Sequence, residues 1–143
     1  MPTEIRSEGT ISPSGPFMVM SPKVKLPPDG SKYISSLKVT VTEFKATATH
    51  QPNLFGDLAM WDIYAFGRYD LFCRELRDLI DFTGADKILF GTDDPVFRIV
   101  RPTKDWIQLL KGLPERAPTG IKFTHEEVNA ILGGNAAKLL GLV

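Results

Sequence analysis

The second half of the chain predicts an α/β fold, because two apolar segments of strand character flank an amphipathic helical pattern. Residues 54–61 are mostly apolar with few breaks, and residues 87–92 form a second, shorter apolar run. Between them, apolar residues recur at steps of three and four over about residues 70–82, as they do in a helix that lies on a sheet. A strand, a helix and a strand in this order normally form a right-handed crossover with parallel strands.

The predicted helix at residues 70–82 has an apolar face and a charged face. Its apolar face consists of Phe72, Leu76, Leu79 and Ile80, and its charged face of Arg74, Arg77, Asp78 and Asp81. Gly84 is placed to end the helix, since glycine adopts the left-handed backbone found after helices at little cost. We therefore expect the helix to cover one face of the sheet and to end next to Gly84.

A further helix is predicted to begin near Pro102, because the first turn of a helix does not use the N–H that proline lacks. Trp106, Leu109 and Leu110 give this helix an apolar face. The alternation of strand, helix, strand and helix places the second half of the chain in the α/β class.

Two more helices are expected near the end of the chain. Thr124 and Glu127 have the spacing of a capping box, in which each side chain accepts a hydrogen bond from the other residue's backbone N–H. The helix that begins there is expected to continue to residue 131 or 132 and to end at Gly133 and Gly134. Asn135 is then predicted to cap a last short helix over residues 136–140.

Residues 1–50 predict a proline-rich, irregular segment that precedes the α/β part. They hold six of the eleven prolines and three of the fourteen aromatic residues, which leaves little material for a core. We expect loop or extended chain over residues 10–29. The period-two alternation of β-branched residues predicts one strand over residues 38–44. The predicted domain boundary therefore separates residues 1–50 from residues 51–143.

The composition argues against several classes of function. The 17 basic and 17 acidic residues cancel, and a pI near 6.7 offers no charge-based attraction to nucleic acid or to an anionic membrane. Apolar runs such as residues 17–20 are far shorter than the ~20 residues of a membrane-spanning helix or the ~7–15 of a signal peptide. A cytoplasmic protein is therefore expected. Cys73 is the only cysteine, so no internal disulfide and no cysteine-based zinc site is expected.

Two carboxylates follow the second predicted strand. Asp93 and Asp94 stand at its carboxyl end, where α/β sheets and barrels bind their ligands. A carboxylate at this position is a candidate metal ligand, a general base, or a cap or turn residue before Pro95. The pair alone supplies fewer oxygen ligands than Mg²⁺ or Ca²⁺ generally needs.

The histidines and the cysteine favour structural roles. His125 falls in the first turn of a capped helix, which favours a solvated surface position, and His50 is expected to be structural or exposed. Cys73 lies inside the amphipathic helix and is expected to be buried as a small hydrophobic residue. The sequence has no His-x-His, no His-Glu-x-x-His, no phosphate-binding Gly-x-x-x-x-Gly-Lys-[Ser/Thr] and no Gly-x-Ser-x-Gly motif.

Asp57 is a charged residue within an otherwise apolar segment, and Asp62 follows shortly after it. A charge in a covered strand is costly unless it is paired, so Asp57 is expected at a strand end, in a polar interior or next to an arginine. The nearby aromatic residues either line a pocket or, as is more common, form core: Trp61, Tyr64 and Phe66.

Three segments of the second half carry a family resemblance: QPNLFGDL at residues 51–58, ADKILFGTDDP at residues 85–95 and ILGGNAAKLLGL at residues 131–142. They resemble the seventh strand, the eighth strand with its Gly-[Ser/Thr]-Asp-x-Pro signature, and the closing helix of the amidohydrolase-related family. This family comprises metal-dependent (β/α)₈ barrels, among them the aminocarboxymuconate-semialdehyde decarboxylase-like enzymes. The resemblance covers about residues 50–143.

The resemblance implies a partial TIM barrel, made of the last two β/α units and the C-terminal helices, with an irregular N-terminal segment. A complete barrel takes at least ~200 residues, and this chain has 143. The resemblance also implies that Asp93 is the catalytic carboxylate at the end of the eighth strand. There it binds or neighbours a divalent metal, zinc or manganese, and handles the proton of the metal-bound water. A small-molecule substrate is implied as well.

The sequence departs from the family pattern in two places. Asp94 stands where an aromatic or other apolar residue is usual. The family's first-strand His-x-His and its two further histidines have no counterpart here, and a catalytic zinc normally takes three protein ligands. The chain is therefore not expected to be a competent enzyme of this family by itself.

Three hypotheses account for this pattern. The favoured one is a C-terminal piece of a metal-dependent hydrolase or decarboxylase, from a truncated gene model, a partial sequence or a degenerate copy. The second is a complementing subunit that completes a barrel with another chain. The third is a non-enzymatic interaction module in which residues 1–50 cover the open sheet edge. Two parallel strands leave both sheet edges unpaired, which predicts self-association.

Overall fold

The computed structural model describes residues 17–21, 35–39, 41–95 and 101–143. The strands in these residues are β1 (Phe17–Ser21), β2 (Ser35–Val39), β3 (Phe55–Asp57) and β4 (Ile88–Leu89). The α-helices are α1 (Val41–Ala48), α2 (Trp61–Gly67), α3 (Tyr69–Thr83), α4 (Thr103–Lys111), α5 (Leu113–Arg116), α6 (His125–Asn129) and α7 (Asn135–Leu139). A 3₁₀ turn at Ala85–Lys87 leads into β4, and a π-helical segment at Ala130–Gly134 joins α6 to α7.

The two strands of the second half pair in parallel, as the sequence predicts. Gly56 lies opposite Ile88, and α2 and α3 form the crossover between β3 and β4. Both strands are shorter than the apolar segments that predict them. The first segment does not continue as a strand because Met60 takes a left-handed backbone, with φ 68°, and Trp61 then begins α2.

The N-terminal part of the chain forms a hairpin that extends this sheet. β1 pairs antiparallel with β2, and its other edge pairs antiparallel with β3, where Val19 lies opposite Gly56. The sheet order is therefore β2-β1-β3-β4. β1 is extended, as residues 10–29 allow, and Pro16 and Pro22 flank its apolar sequence without interrupting it. The pairing of β1 with β2 and the strand at Ser35–Val39 are not predicted by the sequence. The expectation of two open edges is wrong at β3, and among the described strands β4 has a neighbour on one side only.

Residues 38–44 do not form the single strand that their alternation predicts. β2 ends at Val39, and the chain is α-helical from Val41. Phe44 and Ala48 stand four residues apart on one face of α1 and are 1% and 5% exposed. The burial of this face in the core, next to α3, outweighs the β propensity of the valines and threonines.

The predicted amphipathic helix is confirmed as α3, which is central to the core. Phe72 makes edge contacts with Trp61 and Trp106, with ring centroids 6.0 and 5.6 Å apart. Gly84 ends the helix: its N–H donates to the carbonyl of Ile80 at 2.8 Å, and its φ is +88°. The core thus joins the crossover helices to α4.

The predicted capping box is confirmed at the start of α6. The Thr124 hydroxyl accepts from the N–H of Glu127 at 3.1 Å, and the Glu127 carboxylate accepts from the N–H of Thr124 at 2.8 Å. The Arg77 guanidinium donates to both oxygens of the same carboxylate, at 2.9 and 3.1 Å. α6 is shorter than predicted, because its α-helical geometry ends at Asn129 and the π-helical segment follows.

Both remaining helices are present, but the capping role predicted for Asn135 is wrong. α4 begins directly after Pro102, and Trp106 is buried on its inner face. Asn135 is not a helix cap but the first residue of α7, and its side-chain amide donates to the carbonyls of Ala85 and Ile88 at 2.7 and 2.8 Å. A local cap gives way to these long-range bonds because carbonyls beside a buried strand require a donor.

Within the described ranges, no helix is long and apolar enough to cross a bilayer. The chain combines helices with a small sheet that contains one parallel pair. A partial barrel and a domain boundary near residue 50 stay predictions.

Candidate functional site

Four aspartates gather at the carboxyl ends of the two parallel strands. Asp57 is the last residue of β3, Asp62 lies in the first turn of α2, and Asp93 and Asp94 follow β4. Burial raises the pKa of both Asp57 and Asp62, and the negative charge of Asp93 adds a smaller increase to each. The structure therefore brings the sequence-predicted Asp93 together with two buried carboxylates from the neighbouring strand and helix.

Asp57 occupies the strand end that the sequence predicts, and it is 6% exposed. Burial raises the pKa of Asp57, the N–H of Ala59 lowers it, and the charge of Asp93 raises it further, with a net increase. The bond from the Ala59 N–H to Oδ1 is 2.8 Å long. This bond fixes the carboxyl group close to the end of β4.

Asp62 is the second buried carboxylate, at 8% exposed. Burial raises its pKa, the backbone N–H groups of Ile63 and of Asp62 itself lower it, and the charges of Asp94 and Asp93 raise it, again with a net increase. Its Oδ1 atom is buried and has no hydrogen-bond partner in the described part of the chain. A buried oxygen without a hydrogen-bond partner lowers the stability of the fold. Such unfavourable groups are common at functional sites.

Gly91 allows β4 and the Asp57 carboxyl group to approach each other closely. A Cβ atom at this position would lie 2.9 Å from both Asp57 Oδ1 and the nitrogen of Ala59. The carbonyl of Gly91 accepts a hydrogen bond of 3.2 Å from the indole nitrogen of Trp106. Gly91 therefore lies between the acidic site and α4. A side chain at this position would clash with the two atoms of the hydrogen bond between Ala59 and Asp57.

Asp93 and Asp94 differ in backbone and in contacts. Asp93 has a φ of +53°, in the left-handed region, and is partly exposed. Asp94 is exposed, its N–H donates to the Thr92 hydroxyl at 3.2 Å, and its Oδ2 accepts from the Thr103 hydroxyl at 2.8 Å. The sequence leaves open whether Asp94 is a metal ligand, a general base, or a cap or turn residue. Its contacts are those of a turn residue, which it connects to the start of α4.

The histidines and the cysteine lie where the sequence predicts. His125 is largely exposed, with Nε2 3.1 Å from a carboxylate oxygen of the exposed Glu115. His50 is exposed, and its backbone N–H donates to Thr47 at the end of α1. Cys73 is fully buried, and burial raises its pKa, so the expectation of a small core residue is confirmed.

Trp61 belongs to the hydrophobic core, so of the two predicted alternatives, pocket lining and core, the structure supports core for this residue.

A shallow surface cavity of about 540 Å³ lies at the junction of α2 and α3. Its lining includes Arg68 and Arg74 but none of the four aspartates. The cavity is therefore separate from the acidic site.

The donor set does not by itself fit a catalytic transition metal. Across residues 41–95 and 101–143, no group of three or more His, Cys, Asp or Glu side chains is arranged to hold a metal ion. The side chains that gather are carboxylates, whereas catalytic zinc takes three protein ligands that usually include histidine. The described residues supply at most a part of such a centre.

Sequence reasoning selected Asp93 but did not assign Asp57 and Asp62 to the same site. The available signal was the presence of two acidic residues at the end of an apolar segment and just beyond it. Parallel pairing of the two strands brings their carboxyl ends together, so an acid at the end of β3 faces the residues that follow β4.

The acidic residues lie at the carboxyl ends of two parallel strands joined by a helical crossover, which is the edge where α/β proteins bind their ligands. The chain belongs to the amidohydrolase family, because the family model described as Amidohydrolase matches residues 40–142. No curated protein and no solved structure matches the chain. Amidohydrolases generally use divalent metals and act on small-molecule substrates.

Proposed function

We propose that this chain forms the C-terminal part of a metal-dependent amidohydrolase, a hydrolase or carboxy-lyase that acts on a small organic substrate. The observation that carries the proposal is the position of Asp93, at the carboxyl end of β4 and beside the buried Asp57 and Asp62. These residues lie inside the segment that matches the family. The likeness of residues 85–95 to the family's eighth strand supports the family role of Asp93 and leaves hydrolysis and decarboxylation equally open.

In this proposal Asp93 is both the catalytic carboxylate and a ligand of zinc or manganese. We propose that the nitrogen ligands come from another polypeptide, because both histidines of this chain are exposed and neither belongs to a metal-holding group among the described residues. The 143 residues are therefore proposed to be inactive alone. A partial TIM barrel and a cytoplasmic location are parts of the same proposal.

The chain's own residues prepare the acidic site for proton handling. Burial raises the pKa of Asp57 and of Asp62, so these groups bind protons more tightly than an exposed aspartate does. Carboxylates with raised pKa values serve as general acids and bases nearer neutral pH. Unlike the buried Asp57 and Asp62, Asp93 is partly exposed, so a bound molecule can reach its carboxylate.

One observation favours a second candidate, a non-enzymatic interaction module. β1 lies antiparallel on the edge of β3, where an all-parallel barrel has a parallel strand. Because β1 already pairs with this edge of β3, the edge is not free to pair with a strand of a second chain that would complete a barrel. A stable, metal-free monomer with no affinity for divalent metals at Asp93 would favour this candidate.

Equilibrium dialysis against Mn²⁺ or Zn²⁺, followed by elemental analysis, tests the main proposal. The variants are Asp93→Asn and, as a matched control, Asp70→Asn, which changes an exposed carboxylate in the first turn of α3. We expect weak binding by the unaltered chain, at least about tenfold weaker binding by Asp93→Asn, and unchanged binding by Asp70→Asn. Equal binding by all three proteins would contradict the role of Asp93.

A further inference from the structure

The loop that carries Asp93 is held at both ends by one face of α4. At one end, the indole N–H of Trp106 donates to the carbonyl of Gly91 at 3.2 Å. At the other end, the hydroxyl of Thr103 donates to Asp94 Oδ2 at 2.8 Å. Thr103 and Trp106 are three residues apart, so they lie on the same face of the helix.

Asp93 lies between these attachments in a conformation that needs support. Its φ of +53° is in the left-handed region, which residues other than glycine seldom adopt. The N–H of Asp94 donates to the hydroxyl of Thr92 at 3.2 Å and closes a turn around Asp93. Because the backbone of a residue sets the direction of its Cβ, the contacts that hold Thr92 and Asp94 also direct the Asp93 carboxylate.

We propose that Asp94 and Thr103 are positioning residues for Asp93. Their hydrogen bond ties the turn to α4 and keeps the Asp93 carboxylate where its charge acts on Asp57 and Asp62. The inference rests on the proposed function, in which Asp93 is the carboxylate of the active site. It gives Asp94 a role that needs no place among the metal ligands.

A competing role for Asp94 is direct binding of the cation, since its charge reaches Asp62 as that of Asp93 does. Asparagine at position 94 separates the two roles, because it keeps an oxygen that accepts from Thr103 but removes the charge. At position 103, valine has the shape of threonine without the hydroxyl, whereas serine keeps the hydroxyl. The informative set is therefore Thr103→Val, Thr103→Ser and Asp94→Asn.

The first measurement uses the metal-free chain. The amide shifts of Asp93 and its coupling between amide and α protons, measured by NMR, report its backbone conformation. We expect Thr103→Val to change both the shifts and the coupling, and Thr103→Ser to leave both as in the unaltered chain. Asp94→Asn alters the residue next to Asp93 and therefore its shifts, but it is expected to leave the coupling unchanged. Unchanged signals in Thr103→Val would overturn the positioning role.

The second measurement is the Mn²⁺ dissociation constant of each variant by equilibrium dialysis. We expect Thr103→Val to bind Mn²⁺ about tenfold more weakly, because the loss of a residue that holds a metal ligand commonly lowers metal affinity by that much. Thr103→Ser is expected to bind Mn²⁺ as the unaltered chain does. Asp94→Asn is expected to stay within about threefold, the loss of one nearby charge. A tenfold loss of Mn²⁺ affinity in Asp94→Asn with an unchanged Asp93 coupling would make Asp94 a ligand and overturn the inference.

The two measurements keep the inference apart from the proposed function. If the unaltered chain binds no Mn²⁺ through Asp93, the proposed function is wrong, yet the metal-free NMR comparison still decides whether Thr103 and Asp94 position Asp93. If Mn²⁺ binding depends on Asp93 but Thr103→Val changes neither measurement, the function stands and the positioning role is wrong.

Discussion

The side-chain amide of Asn135 donates to the carbonyl of Ile88 at 2.8 Å and joins the C-terminal helix α7 to β4. The same amide donates to the carbonyl of Ala85 at 2.7 Å, and the residue is 3% exposed. One side chain therefore satisfies two carbonyls that border the strand leading to Asp93. This connection fixes the end of the family-matched segment to the sheet that carries the site.

Asn135→Ala is expected to lower the free energy of unfolding by about 2–4 kcal/mol, because two carbonyls lose their donor and a small cavity forms. Chemical denaturation measures the change. Asn129→Ala is the control, since Asn129 is exposed on α6, and it is expected to stay within about 0.5 kcal/mol. An equal effect of the two substitutions would show that the bonds from Asn135 contribute little.

Gly91→Ala is expected to destabilise the fold by about 1–3 kcal/mol. The new Cβ would lie 2.9 Å from both Asp57 Oδ1 and the Ala59 nitrogen, and neither atom moves freely because they are hydrogen-bonded to each other. Gly67→Ala is the control, because a Cβ there meets nothing within 4 Å at the end of α2. Thermal or chemical unfolding of the two variants checks the prediction, and a Gly91→Ala protein as stable as Gly67→Ala would argue against the close approach.

Glu127→Gln is expected to lower stability at pH 7 by about 1–3 kcal/mol, since it removes the charge that Arg77 binds through two hydrogen bonds. The bonds from Arg77 lower the pKa of Glu127, burial raises it, and the Thr124 N–H lowers it, with a net decrease below 4.5. A carboxyl group with a lowered folded pKa stabilises the protein above its unfolded pKa and loses this contribution as the pH falls through the folded pKa.

The difference in the free energy of unfolding between wild type and Glu127→Gln should therefore shrink when the pH falls below about 4.5. Denaturation curves at several pH values between 7 and the acid limit of folding measure this difference. Glu126→Gln, an exposed neighbour on α6, is the control and is expected to show a small, nearly constant difference. A difference for Glu127→Gln that does not vary with pH would contradict the ion pair.

Asp57→Asn is expected to raise the free energy of unfolding at pH 7. Burial raises the folded pKa of Asp57 above its unfolded value near 3.8, although the Ala59 N–H opposes the shift. The folded protein then binds this proton more tightly, so the contribution of Asp57 to stability declines as the pH rises from 3.8 through the folded pKa. Asparagine keeps an oxygen for the Ala59 N–H and carries no charge.

The increase in the free energy of unfolding caused by Asp57→Asn should be largest at neutral pH and should become smaller as the pH approaches 3.8. Unfolding measured across this range, with Asp70→Asn as the exposed control, checks the prediction. Lower stability of Asp57→Asn at pH 7 would mean that the charge of Asp57 is compensated in the folded protein.

Features that depend on local sequence are the ones that the sequence predicted well. The spacing of Phe72, Leu76 and Leu79 set the amphipathic helix, and the four residues from Thr124 to Glu127 set the capping box. Both depend on contacts within one or two helical turns. The parallel pairing followed from the order of the elements.

Features that depend on distant contacts were missed. The helix α1 forms where alternation suggested a strand, because the core buries Phe44 and Ala48. Asn135 looked like a local cap, but its partners are 47 and 50 residues away. The antiparallel position of β1 on β3 likewise has no local signal in residues 17–21, since strand propensity does not specify a partner.

The same distinction applies to the site. Asp93 was selected because a strand end and a family signature are readable from consecutive residues. Its neighbours Asp57 and Asp62 and the bond between Asp94 and Thr103 depend on how two strands and α4 come together. Those relationships belong to the tertiary structure and have no fixed spacing along the chain.

In the proposed function, Asp93 binds a divalent metal at the carboxyl ends of β3 and β4. Titration of Mn²⁺ into the isotope-labelled chain, with line broadening followed residue by residue by NMR, tests this binding. We expect broadening centred on residues 57, 62 and 92–94 that disappears in Asp93→Asn and persists in Asp70→Asn. Broadening that is absent, centred elsewhere, or unchanged in Asp93→Asn would contradict it.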